Sequence, residues 1–109
     1  MPDSEPALVL SDAAAFNAPA GHAVMAMITS AENAPWPLDC LILDLEMAGL
    51  PAPSKVRFKL FTLDQRLVRG VLGRLAADDE ARLRIGMARL FGEGTPKMLL
   101  QEPGPACVG

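Results

Sequence analysis

The clearest pattern in the chain lies between Lys55 and Leu63, where Val56, Phe58 and Leu60 alternate with Arg57 and Lys59. A period of two is what a half-buried antiparallel strand requires, so the first set is predicted to face a core and the second to face outward. Asp64-Gln65 then reads as a tight turn. Arg66 to Leu72 reads as the returning partner strand, with Gly70 and Gly73 marking a bulge or sharp coiling. Ala23 to Thr29 is apolar at successive positions, with Val24, Ala26 and Ile28 on one face and Met25 and Met27 on the other. A strand buried on both sides has this appearance. Periodicity alone also permits a helix there, but Gly21 before it and Thr29-Ser30 after it favour the strand. Ala7 to Leu10 and Leu38 to Leu43 are shorter apolar runs that also read as strands. Asp12 to Gly21, with Asn17 and Pro19, reads as a loop, and so does Ala31 to Pro37, with prolines on both sides of Trp36. Asp44 to Leu50 predicts a single helical turn, stopped by Gly49, Pro51 and Pro53.

The last element is a helix from about Ala77 to Phe91. Asp78, Asp79 and Glu80 fall in its first turn, where carboxylates favour the positive end of the helix dipole. Leu83, Met87, Leu90 and Phe91 share one face, and Gly92 is a natural stop. Gly86 inside the helix costs ~1 kcal/mol relative to alanine. These elements amount to about five short strands followed by one amphipathic helix, a mainly β fold forming a small coiled sheet or partly open barrel. Residues 1–92 are predicted to form one domain, and the Gly- and Pro-rich residues 93–109 a flexible tail.

Composition narrows the class. The chain has 109 residues and is 50% apolar, enough for a modest core and too apolar for a disordered chain. No run approaches the roughly 20 apolar residues of a membrane helix, and no basic-then-apolar segment opens the chain as a secretory signal does. Cys40 and Cys107 do not make a disulfide framework, so a soluble cytoplasmic protein with reduced thiols is expected. The net charge of −3 argues against a nucleic-acid partner until its distribution is considered. Asp3, Glu5, Asp12, Glu32, Asp39, Asp44 and Glu46 precede Lys55 without a single Lys or Arg among them. Lys55, Arg57, Lys59, Arg66, Arg69 and Arg74 follow, interrupted only by Asp64. Such asymmetry builds a local electropositive patch on an acidic protein, or simply the solvated face of a sheet.

Several segments, taken in order and spacing, resemble the MazF/PemK family of bacterial toxins. Pro6-Ala7-Leu8-Val9-Leu10-Ser11 resembles the family's second major strand. Gly21-His22-Ala23-Val24-Met25-Ala26-Met27-Ile28-Thr29-Ser30 resembles its central strand with the terminal Thr-Ser pair. Trp36-Pro37-Leu38-Asp39 resembles the loop and strand entry that follow. The most specific part is Ala48-Gly49-Leu50-Pro51-Ala52-Pro53-Ser54 leading into Val56-Arg57-Phe58-Lys59-Leu60-Phe61-Thr62-Leu63-Asp64, with Leu72-Gly73-Arg74-Leu75 after it. The resemblance spans about residues 6–91.

It implies an SH3-like (MazF/PemK-type) small barrel with a C-terminal helix, usually a homodimer, acting as the toxin of a toxin–antitoxin pair. The implied activity is metal-independent, cofactor-free cleavage of single-stranded RNA to a 2′,3′-cyclic phosphate, restrained by a cognate antitoxin. No metal-ligand cluster is visible, and His22 is the only histidine, which excludes a two-histidine mechanism within one subunit. The resemblance carries the family's catalytic threonine onto Thr29, with Ser30 beside it as a second hydroxyl for a phosphate. The family's catalytic arginine position is held by Glu5, which can act as a base but cannot clamp a phosphate as a guanidinium does. Family members also carry a strand pair and a covering loop ahead of this point, where this chain has Met1 to Ser4. The expectation is therefore a barrel left open because its first strands are missing, or a start assigned too late. Arg57 and Lys59 are candidates for contact with the RNA backbone. Trp36 is a candidate for stacking on a base, although anchoring of its loop or of a dimer interface is the favoured role. His22 reads as structural, Met25 and Met27 as core, and Cys40 as a small apolar side chain. A catalytically inactive binding module on the same scaffold is the alternative function, and Glu5 is the residue that speaks for it.

Overall fold

The computed structural model describes residues 5–92 and 98–104. Its centre is one antiparallel sheet built from β1 (Ala7–Val9), β2 (His22–Ser30), β3 (Cys40–Ile42) and β4 (Ser54–Asp64), in the order β1-β2-β4-β3. The two long strands form its backbone, paired from His22 opposite Asp64 to Ser30 opposite Ser54. As the sequence predicts, apolar residues of β2 are buried on both faces, with Ala23, Met25 and Ala26 all inside.

The β2–β4 ribbon is not regular. Ala26 lies opposite Leu60, but the next residue, Met27, lies opposite Arg57. Phe58 and Lys59 are the extra residues of a bulge, which bends a ribbon and increases its twist. The sheet is accordingly curled into an open half-barrel, with β1 on one edge and β3 on the other. The bulge also limits the alternation. Val56 and Phe58 face the core as expected, whereas Leu60, beyond the bulge, is 38% exposed.

The core consists of Ala26, Ile42, Ala48, Leu50, Val56, Phe58 and Leu83, closed on one side by α3 (Ala77–Leu90). Gly86 has a packing role in that contact. A Cβ there would meet Phe58 Cε2 at 3.2 Å, so the helical glycine lets the aromatic ring come close to the helix. Asp79 has a different role from its first-turn neighbours. It is only 2% exposed, accepts hydrogen bonds from the N–H groups of Leu43 (3.0 and 3.2 Å) and Asp44 (3.0 Å), and pairs with Arg82. It ties the helix to the end of β3. The expected apolar face is narrower than its periodicity suggests. Leu83 is buried and Met87 packs on the core, but Leu90 and Phe91 lie beyond it and are exposed.

Two further expectations are corrected. Arg66 to Leu72 does not return as a fifth strand. The Asp64 carboxylate accepts the Arg66 N–H at 2.9 Å and closes a short 3-10 turn over Gln65–Leu67. The chain then runs to α2 (Leu45–Ala48), where the Arg74 N–H reaches the Met47 carbonyl at 3.0 Å. Backbones approach so closely there that neither Gly49, which has φ +73°, nor Gly73 has room for a Cβ. Gly73 thus marks a close approach rather than a bulge, and the chain that follows β4 is spent on α2. Asp12 to Gly21 is likewise not an open loop. Asp12 caps a wide helical turn over Ala13–Asn17 that continues as α1 (Ala18–Ala20) and stops at Gly21 with φ +68°. The turn predicted at Asp44 to Leu50 is present as α2, with Gly49 as its left-handed stop. Residues 98–104 carry no helix or strand, and Met1 to Ser4, residues 93–97 and the tail from Pro105, including Cys107, lie outside the described residues.

Candidate functional site

Thr29 and Ser30 end β2, opposite Lys55 and Ser54 of β4. They border an open cleft of about 420 Å³ whose other walls are Glu5 and Pro6 ahead of β1, Asn33, and the Pro51–Ser54 approach to β4. The fold therefore brings Glu5 to the same cleft as Thr29 across the β1–β2 pair. Thr29 Oγ1 accepts a hydrogen bond from Asn33 Nδ2 at 2.5 Å, and Ser30 Oγ accepts the Glu32 N–H at 3.2 Å. Each hydroxyl keeps its own proton to donate. Glu5 is the charged member of the lining, and among the described residues no lysine or arginine joins it.

The cations lie on the neighbouring stretch of sheet. Lys55, Arg57 and Lys59 share one face of β4 and meet the loop between β2 and β3. Asp39, at the end of that loop, is the centre of this cluster. Its carboxylate takes Lys55 Nζ at 3.0 Å, Arg57 Nε at 3.2 Å and Nη2 at 3.0 Å, and the Trp36 N–H at 3.0 Å. The three side chains are largely buried, Asp39 keeping 13% of its surface. Burial works to raise the Asp39 pKa, but the hydrogen bonds from Arg57, Lys55 and the Trp36 N–H outweigh it and hold the pKa below the ordinary value of 3.8. The same cations reach the loop backbone. Lys55 Nζ donates to the Asn33 carbonyl at 2.7 Å and Arg57 Nη2 to the Ala34 carbonyl at 2.6 Å.

The Trp36 ring completes the patch. Lys59 Nζ lies 4.5 Å from its centroid and the Arg57 guanidinium carbon 5.7 Å away. Lys59 is exposed and has no carboxylate partner among the described residues. The structure thus brings Trp36, Arg57 and Lys59 together as one group, and Thr29 and Ser30 as another. Sequence reasoning missed Asp39, Lys55 and Asn33, which join the two. The one available signal was the alternation of Lys55, Arg57 and Lys59, which puts all three on the same face as any acid that the β2–β3 loop delivers there.

The remaining titratable candidates are structural. His22 Nδ1 lies 3.0 Å from the Ala20 carbonyl at the start of β2. Cys40 is a free thiol pushed above its ordinary pKa of 9.0 by burial, against the opposing charge of Arg82. Among the described residues, no helix is long and apolar enough to cross a membrane.

Residues 1–91 match the family model described as PemK-like, MazF-like toxin of type II toxin-antitoxin system. No curated protein matches the sequence. Among solved structures, a MazF from Deinococcus radiodurans is similar at 30% identity, with 79% of this chain and 74% of that one covered and a TM-score of 0.60. A MazE–MazF structure from the same organism is similar at 27% identity, covering 83% of each chain with a TM-score of 0.63. The Mycobacterium tuberculosis toxin MazF-mt6 shares the fold, with a TM-score of 0.65 at 21% identity over 80% of this chain and 85% of that one.

Proposed function

The chain belongs to the family of PemK-like, MazF-like toxins of type II toxin–antitoxin systems, and we propose that within it the chain is a sequence-specific, metal-independent endoribonuclease acting on single-stranded RNA in the cytoplasm. The observation that supports this best is the Thr29–Ser30 pair, set at the end of the long central strand on the rim of an open cleft, one loop away from a cation-bearing aromatic patch. In the proposed reaction the 2′-hydroxyl of one nucleotide attacks its own 3′-phosphorus. The bond from phosphorus to the next 5′-oxygen breaks, leaving a 2′,3′-cyclic phosphate and a 5′-hydroxyl. Glu5 is placed to take the 2′-hydroxyl proton as a carboxylate base. Thr29 and Ser30 donate hydrogen bonds to the phosphate oxygens as charge develops there, while water protonates the departing oxygen and Glu5 returns its proton to solvent. Lys59 and Trp36 hold the strand by charge and stacking.

A cognate antitoxin is the proposed inhibitor, a reading supported by the similar MazE–MazF complexes. A homodimer is the proposed working form, because among the described residues β1 and β3 leave both edges of the sheet unpaired and Val9, Leu41 and Leu43 exposed.

One observation favours a second reading. A cleft whose formal charge is a carboxylate attracts no phosphate, so the alternative is a non-cleaving module that binds antitoxin, RNA or another toxin copy. The two readings separate when the purified chain is incubated with a long single-stranded RNA in EDTA. Discrete fragments ending in 2′,3′-cyclic phosphate are the expected result. Intact RNA in the presence of folded protein selects the binding module, and cleavage that disappears with EDTA rejects the metal-independent step.

A further inference from the structure

The β2–β3 loop has no regular structure through Trp36, yet β4 holds it along its length. Lys55 and Arg57 grip its carbonyls at Asn33 and Ala34, and Asp39 grips both cations in return. Asp39 also takes the Trp36 N–H, while its own N–H donates to the Trp36 carbonyl at 3.1 Å. The turn between them places Leu38 at φ +66°, a left-handed conformation that costs a non-glycine residue energy and persists only where its surroundings impose it.

This anchoring works through backbone groups and the Asp39 carboxylate. The indole ring adds to it only the contact with the Arg57 guanidinium, 5.7 Å from the ring centroid. Trp36 is 41% exposed, and its side-chain N–H has no partner among the described residues. Its ring is in contact with Lys59, an exposed ammonium without a carboxylate partner among the described residues. A partly exposed aromatic ring beside an exposed ammonium is a combination that can take a stacked base on the ring and a phosphate on the ammonium. Arg57 is different, because its Nε and Nη2 are already spent on Asp39 and Ala34.

We propose that Trp36 and Lys59 form a stacking subsite for one unpaired base of the RNA, and that Asp39, Lys55 and Arg57 are positioning residues that hold it in place. The proposal rests on the RNA-binding reading given above and changes the role of Arg57 within it, from an RNA contact to a support for Trp36.

Trp36 is the only tryptophan, so the emission of the full chain reports on this subsite alone. The probe is a short, random-sequence single-stranded RNA with every 2′-hydroxyl methylated, which blocks cleavage. Fluorescence anisotropy of labelled RNA measures binding independently of Trp36. Saturable quenching of Trp36 is expected. Trp36→Ala should weaken binding roughly tenfold or more, and Trp36→Phe should recover most of the loss. Asp39→Asn should weaken binding to a similar degree, yet add less than about twofold when combined with Trp36→Ala, because both act through one ring. Should Asp39→Asn fail to fold, Arg57→Gln, which leaves the Lys55–Asp39 pair, carries the same coupling test. A Trp36→Ala variant with unchanged circular dichroism that binds as tightly as wild type overturns the subsite and leaves the RNA-binding reading standing. Full additivity of the two substitutions overturns the positioning role. Absence of binding by the wild type removes both the subsite and the reading beneath it.

Discussion

The Thr29 cleft and the Trp36 patch share one loop and divide the requirements of the proposed activity on RNA between them. The cleft holds hydroxyls, an amide and one carboxylate, with no lysine or arginine among its described lining. The patch holds lysines, an arginine and an aromatic ring, and two of its cations, Lys55 and Arg57, are ordered by a single buried acid. Asn33 links them, with its amide on Thr29 and its carbonyl on Lys55. Grip and chemistry are thus in different hands. The proposed chemistry depends on neutral donors and a base, while the proposed affinity for RNA depends on charge and stacking a few residues away. That division accounts for how an acidic chain with a carboxylate in its cleft can still present a surface for a polyanion.

The comparison is broken most severely by removing what both regions stand on. Asp79→Ala leaves two backbone N–H groups and the Arg82 guanidinium without their partner, and should cost about 3 kcal/mol. Urea denaturation should show that loss, and below the unfolding transition both regions should keep their properties.

Asp39→Ala separates the regions. It strands two largely buried cations and should cost ~2–3 kcal/mol by the same measurement. The pH dependence has a definite sign. Because the folded-state pKa of Asp39 is lowered, its contribution is complete above its ordinary pKa of 3.8 and is lost as pH falls through the lower folded value. The stability gap between wild type and variant should therefore be constant at neutral pH and shrink below pH 3.8.

Smaller effects sharpen the contrast from each side. Glu5→Gln removes the proposed base from the cleft and should lower the single-turnover cleavage rate by roughly a hundredfold, the lower end of what a positioned general base contributes. An unchanged rate would show that the carboxylate end of the cleft is remote from the scissile phosphate. Lys59→Gln should weaken RNA binding only a few-fold but reduce the slope of log affinity against log salt by about one ion, as expected for loss of one phosphate contact. An unaltered slope would remove Lys59 from the interface.

How much of this was legible in the sequence depended on how local each cause was. The alternation over Lys55–Leu63 and the two-sided apolar run of β2 placed the central ribbon, because side-chain period is a property of the strand itself. The resemblance proposed the Thr29–Ser30 pair and marked Glu5 beside it, and all three line one cleft because each lies in a short segment at a strand end. The fifth strand was misjudged because Arg66 to Leu72 has strand composition, whereas Asp64 and the close approach of Gly73 to α2, both set by the fold, direct it elsewhere. Asp79 could not be told from the exposed acids of the same helical turn, since its partners lie far back in the chain at Leu43 and Asp44. The Asp39 cluster was invisible for the same reason. Arg57 read as an outward-facing cation until the loop carrying Asp39 was laid across it. Gly86 appeared only as a cost to the helix, because the ring of Phe58 that needs the space comes from β4.

The separation of chemistry from grip is tested most directly by Thr29→Ala, with cleavage and binding measured on the same single-stranded RNA. The expected result is a loss of cleavage of at least about a hundredfold, the usual cost of removing one transition-state donor, with affinity for the methylated, uncleavable RNA within about twofold of wild type. Parallel loss of binding, or cleavage that continues undiminished, would contradict the account.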